Sequence, residues 1–379
     1  MLDDYIQGAA TQLIKRAASL KGEIPRPPRL WFQRLASQCC GKIDSAIAEL
    51  KQLRDDPDLK DSEAEPLRLL EFRRLAAQID RVENAAIAAM ARSSDEEAAV
   101  NRLLDEMTQE IIYPIEFPTV SLLSQNYFYI STDFQLMCIP LKELHFLLHF
   151  PDIYHELAHP LFHVENDPRV KAWLEAYNNV QVAVSAHFTK QIVKLESDRM
   201  PDSIRQGVAA AYQNWQCQWM EEFFCDLFGI FSVGPAYAWA HLHLHAERGR
   251  NSFQLPRFSS SHPADAPRMV MMLEALCLLK EEKAAKAIDS KWQSLLAVAG
   301  YSEPPDFHRY YPKHLLQICA KEAYAGFIGV GCKPWPGAGT DRVRRILNEA
   351  WSRFWASPKN YATWEKEMSE TLFQSKGLS

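Results

Sequence analysis

Apolar residues recur at intervals of three and four along much of this chain, most plainly in "LWFQRLASQCCGKIDSAIAELKQL" and "PLRLLEFRRLAAQIDRVENAAIAAM". That interval lines one face of an α-helix, whereas one face of a strand would need a period of two. Ser94 followed by Glu97 makes a capping box ahead of "EEAAVNRLLDEMTQEI". Helices are therefore expected from the N-terminus to about residue 110. The texture then changes to short β-branched and aromatic runs, "EIIYPIEFP", "NYFYIS" and "FQLMCIP", separated by turn formers such as Ser131, Thr132 and Asp133. These predict a small sheet. A short helix near "LKELHFLLHF" and helices over about 168–196 and 202–231 follow, and from about 264 the chain is helical again apart from the loop "GVGCKPWPGAGT". That loop carries Gly329 and Gly331, but Pro334 stands where a dinucleotide fingerprint needs glycine and no Gly-Lys-Ser/Thr follows, so it reads as a helix connection. The expected fold class is mostly α (α+β): an N-terminal helical region over 1–110, a core with a small sheet over 111–275, and a C-terminal helical region over 276–379.

Composition narrows the function classes. The formal charge of -6 comes from interspersed acids and bases, with no like-charged block suited to nucleic acid. The start "MLDDYIQGAA" is acidic where a secretory signal would be basic, and the longest apolar run, "FFCDLFGIFSVGPAYAWA", is broken by Asp226 and Pro235, so no membrane span is expected. The eight cysteines form no CxxC pair and read as thiols of a reducing compartment, which points to the cytoplasm.

Within "PDIYHELAHPLFHVEND" stands HELAH. On a helix His155 and His159 lie one turn apart on one face and can reach a single zinc ion, while Glu156, rotated by about 100°, is placed to be a general base rather than a ligand. Zinc lowers the pKa of water to about 7, and a neighbouring carboxylate can take the proton and return it to a leaving amine. Pro160 follows His159 directly and predicts a kink or an end to the helix there.

Two histidines do not complete such a site, so a third ligand is required. Glu165 stands where the metzincin pattern HExxHxxGxxH places its last ligand, but Phe162 occupies the position of the glycine that turns the chain back. His163 is a weaker candidate. His241, His243 and His245 form "HLHLH", of which His241 and His245 would share a helix face. "MEEFFCDLFG" is the strongest candidate. A helix presenting Glu222 to the metal places Asp226 one turn along, able to accept the free N–H of a ligating histidine. Glu221 is adjacent but has no acid four residues on. Carboxylates among Phe223, Phe224, Leu227, Phe228, Ile230 and Phe231 require partners.

HExxH followed some sixty residues later by ExxxD resembles the gluzincin metallopeptidases, and ExxCD is close to the ExxAD of the CAAX prenyl protease branch. "SSSHPADAPRM" extends the likeness, since that branch carries an HP-plus-arginine segment downstream of its glutamate ligand. The resemblance spans roughly residues 120–275 and departs from the branch at Pro160 and in lacking membrane helices. It implies a zincin-like metallopeptidase core, a zinc cofactor, a protein or peptide substrate, and His262 and Arg268 holding the substrate or its oxyanion. It also implies that substrate lies extended along an edge strand near "FQLMCIP". The competing expectation is a helical interaction protein in which the same zinc site is structural or degenerate.

Overall fold

A computed structural model describes residues 2–24, 30–55, 65–91, 94–124, 127–164, 166–337 and 339–374. The chain is mostly helical with one small sheet, as the apolar periodicity predicts, and forms two compact units. One unit comprises Met1–Asn101 with Pro118–Pro140, the other Arg102–Phe117 with Leu141–Ser379. The boundaries thus fall within a helix and just after the last strand, whereas the sequence reading sets them near 110 and 275.

The first unit is built on helices α1 (Leu2–Glu23), α2 (Leu30–Asp55) and α3 (Glu65–Arg81), a π-helical turn at Val82–Ile87, α4 (Ala88–Ala91) and the start of α5 (Asp95–Ile111). Its core joins Phe32, Leu35, Ile43 and Leu50 of α2 to Leu75 and Ile79 of α3 and to Phe134, Leu136 and Cys138. The capping box forms as expected: Glu97 N–H donates to Ser94 Oγ, and Ser94 N–H donates to Glu97 Oε2. The other oxygen of Glu97 accepts from Ser121 Oγ and Leu122 N–H, so the capping carboxylate also fastens the sheet to α5. The sheet holds β1 (Thr119–Ser124), β2 (Tyr129–Ser131) and β3 (Leu136–Pro140) in the order β1-β3-β2, with β1 parallel and β2 antiparallel to β3. Two expectations are corrected here. "EIIYPIEFP" is not a strand; the first strand begins after it. "FQLMCIP" forms the central strand, whose backbone is paired on both sides, so it offers no edge to an extended substrate.

The second unit follows with α6 (Asp152–Glu156), α7 (Pro160–His163), α8 (Lys171–Ser197), α9 (Asp202–Asn214), α10 (Met220–Val233), α11 (Pro235–Arg248), α12 (Asp265–Leu278), α13 (Glu282–Ala299), α14 (Lys313–Gly329), α15 (Arg342–Ala356) and α16 (Pro358–Gln374). "LKELH" is a 3₁₀ turn rather than an α-helix. Helix α10 is central: it packs against α6, α8, α11, α12, α14 and α15, and every one of its residues but Glu221 is buried. Its aromatic side chains account for this, with Phe224 and Phe228 against Trp173 of α8 and Phe231 against Tyr324 and Phe327 of α14. A π-helical turn at Trp215–Trp219 joins α9 to α10, and the wider turn rotates the face of α10 relative to α9. Among the described residues no helix is long and apolar enough to cross a membrane.

Candidate metal centre

The HELAH segment is a helix interrupted at its middle. Pro160 has no N–H for the carbonyl of Glu156, and its ring crowds that carbonyl, so regular α-helical bonding cannot continue. The chain tightens into three-residue bonds instead, with Ala158 N–H donating to His155 O and Leu161 N–H to Ala158 O. The carbonyl of Leu157, deprived of its usual donor, accepts from the Tyr113 hydroxyl at 2.7 Å. His159 nevertheless keeps helical angles, φ −54° and ψ −45°, despite the bias that a following proline imposes. The kink is therefore present and the two histidines remain neighbours, their ring centroids 5.2 Å apart. Burial of Ile153, Tyr154, Leu157, Ala158 and Leu161 fixes the segment from behind.

Helix α10 supplies carboxylates to both histidines. His155 Nδ1 lies 3.1 Å from Asp226 Oδ1, and His159 Nδ1 lies 2.9 Å from Glu221 Oε1. A carboxylate on Nδ1 fixes the tautomer and ring orientation of a metal-binding histidine and leaves Nε2 for the ion. Asp226 thus stands where the sequence places it. Glu221, weighed above only as a ligand, takes the equivalent position for the second histidine.

Asp226 is completely buried and holds four contacts. Arg268 Nε and Nη2 donate to it at 2.7 and 2.6 Å, and the Tyr237 hydroxyl donates to the same oxygen that faces His155, at 2.6 Å. This guanidinium and His155 overcome the burial that would raise the carboxyl, and they hold it well below the usual range. Arg268 was expected to grip substrate. It is buried with two of its donors engaged by Asp226, so its place is behind the histidine rather than in front of it. Gly229 permits the arrangement, because a Cβ there would come within 2.8 Å of the Tyr237 ring.

Glu222 presents Oε2 at 3.4 Å from His155 Nε2 and 3.6 Å from His262 Nε2. That oxygen is buried and, among the described residues, has only these loose ion pairs and no hydrogen bond of normal length. A buried carboxylate oxygen left unsatisfied is costly, and a cation beside it removes the cost. Burial by itself would raise Glu222 and lower His155. Their pairing, joined by Asp226 in the case of His155, reverses both: Glu222 is held at about 2 and His155 at about 10. Without a metal, His155 is an imidazolium between two carboxylates, and a divalent ion would take the place of its proton. Two imidazoles and a carboxylate suit zinc.

Cys225, inside the quoted ExxCD but assigned no role by the sequence, is the residue that converges on both histidines: ligand atoms of His155, His159 and Cys225 all lie within 4.8 Å of one another, a group that does not include Glu222. Burial pushes this thiol well above its ordinary range. Glu156 ends α6, half-buried, its charge reaching the Cys225 thiol. His262 is exposed at the rim, where its Nε2 faces Glu222. His163 Nε2 is 3.7 Å from Glu221 and belongs to the outer contacts. Glu165 lies outside the described residues.

The "HLHLH" histidines serve elsewhere. His245 Nδ1 pairs with Asp265 at 2.9 Å and its Nε2 with Ser252 Oγ at 2.8 Å, while His241 Nε2 is 3.7 Å from Asp265. His241 and His245 are both buried. Ser252, His245 and Asp265 have the connectivity of a nucleophilic triad, but Ser252 is fully buried and its hydroxyl serves the imidazole alone. Tyr237 is the residue that sequence reasoning missed outright, since a tyrosine eleven residues past Asp226 matches no motif.

Comparison of the chain with protein-family models, with curated proteins and with solved structures finds no match.

Proposed function

We propose that this protein is a zinc-dependent endopeptidase that hydrolyses protein or peptide substrates in the cytoplasm. The observation that carries the reading is the pairing of His155 and His159, each with Nδ1 on its own carboxylate, with the buried Glu222 carboxylate 3.4 Å from Nε2 of His155. His155, His159 and Glu222 would hold the ion, which when bound supplies Lewis-acid polarisation of the scissile carbonyl and acidifies water. Glu156 would accept a proton from the attacking water and deliver it to the leaving amine. Asp226 and Glu221 orient the imidazoles, and Arg268 and Tyr237 hold Asp226. His262, exposed and facing Glu222, is the residue positioned to meet substrate.

The second reading, a helical interaction protein with a structural ion, is favoured by Cys225. A set of His155, His159, Glu222 and Cys225 would close four positions and leave none for water. One experiment separates the two. Glu156→Gln should retain zinc and fold while peptide hydrolysis falls about 10²- to 10⁴-fold, as loss of a general base does. Cys225→Ala should leave both zinc and hydrolysis in place. Zinc lost from the Cys225 variant, with no peptide cleaved by the unmutated protein, would establish the structural reading instead.

A further inference from the structure

A second group of ligating side chains lies apart from the HELAH donors. His149 stands in the turn that leads into α6, and His243 and Glu247 occupy successive turns of α11. Ligand atoms of the three lie within 4.8 Å of one another, and His243 Nε2 is 3.3 Å from Glu247 Oε1. Both rings are held in place. Glu143 binds Nδ1 of His149, while His243 is wedged between His149, with centroids 5.3 Å apart, and Trp351 on α15, at 5.7 Å. Glu247 is half exposed, so an ion can enter from solvent.

The geometry points to a second divalent transition-metal site, formed by His149, His243 and Glu247, that clamps the turn before α6 onto α11. Two imidazoles and one carboxylate select a borderline ion such as Zn²⁺, Ni²⁺ or Co²⁺ over Mg²⁺ or Ca²⁺, which favour all-oxygen sets. Glu143 holds His149 through Nδ1, which leaves Nε2 to face an ion, as carboxylates do behind metal-binding histidines. The site needs nothing from the HELAH donors and stands whatever the fate of the peptidase reading. Its consequence is mechanical: an ion here would tie down the segment from which α6, with His155, begins.

The test is titration of the metal-free full-length chain with Zn²⁺ against a chromophoric chelator. A His155→Ala/His159→Ala variant, which lacks the HELAH donors, should still bind one equivalent. Glu247→Gln and His243→Ala should each lose that remaining equivalent, and Glu143→Gln should weaken it about 10- to 100-fold. Glu247 is exposed enough that its substitution tests the site even if His243→Ala fails to fold. The proposal is overturned if the His155→Ala/His159→Ala variant binds no zinc, or if its isotherm is unchanged by adding Glu247→Gln.

Discussion

Asp226 shows how much one buried side chain can organise. Its two oxygens serve Arg268, Tyr237 and His155, and its removal would leave two donors of the buried guanidinium without their acceptor. Asp226→Asn keeps the shape but leaves the buried guanidinium without a counter-charge, a change that costs about 3–5 kcal/mol in buried pairs. We expect the urea midpoint of the variant to fall accordingly, with zinc affinity about 10- to 100-fold weaker in the fraction that folds. Glu222 and Cys225 divide on charge. Glu222 is ionised and has no hydrogen bond of normal length on Oε2, whereas Cys225 is kept as a neutral thiol by burial. Glu222→Gln should therefore reduce zinc affinity far more than Cys225→Ala in a chelator competition. Equal losses in the two variants would show four protein ligands.

At the level of elements, the site depends on how three short segments are shaped. Pro160 divides α6 from α7, and Tyr113 replaces one of the missing helical bonds by donating to Leu157 O. Tyr113→Phe should thus destabilise the fold by about 1 kcal/mol, the usual net value of such a bond, measured by equilibrium unfolding. Gly229 lets the Tyr237 ring lie against α10. Gly229→Ala should cost about 1–3 kcal/mol by overpacking and displace the tyrosine hydroxyl from Asp226. A crystal structure of the variant with the Tyr237–Asp226 bond intact would contradict this. Farther along, His245 holds Asp265 and the Ser252 carbonyl accepts from Ala266 N–H, so the apparent triad fastens the first turn of α12, the helix that carries Arg268.

For the molecule as a whole, the titrating groups set a pH optimum through opposing signs. In metal-free protein His155 is raised to about 10 by its carboxylates, so its contribution is complete below the unfolded imidazole value and is lost as pH rises through about 10. His241, lowered by burial to about 4, contributes fully above the unfolded value and loses that as pH falls through about 4. Glu222 and Asp265, each held at about 2, add stability above the ordinary carboxylate range that disappears as pH falls through about 2. Stability of the metal-free chain should therefore peak near ~6.5, the imidazole reference, and decline on both sides. Zinc should flatten the alkaline flank, since a ligating histidine has already lost its proton. Urea midpoints measured from acid to alkali with and without zinc test this, and an alkaline decline that persists in zinc would remove His155 from the ligand set.

The sequence by itself determined the helical class, the capping box at Ser94, the kink at Pro160, and the candidates His155, His159, Glu222 and Asp226. Each is encoded locally: helical period, a cap spanning four residues, a missing N–H, or side chains one turn apart on a helix, as in His155 with His159 and Glu222 with Asp226. Only the tertiary structure decided the rest. It placed "FQLMCIP" in the middle of the sheet, because strand order depends on partners distant in sequence. It moved Arg268 from the expected substrate side to Asp226, set Glu221 on His159, and brought Tyr237 and Cys225 into the centre. Those outcomes depend on which faces of α6, α10, α11 and α12 meet. That choice is made by packing large aromatic side chains around a buried helix, and no spacing along the chain records it.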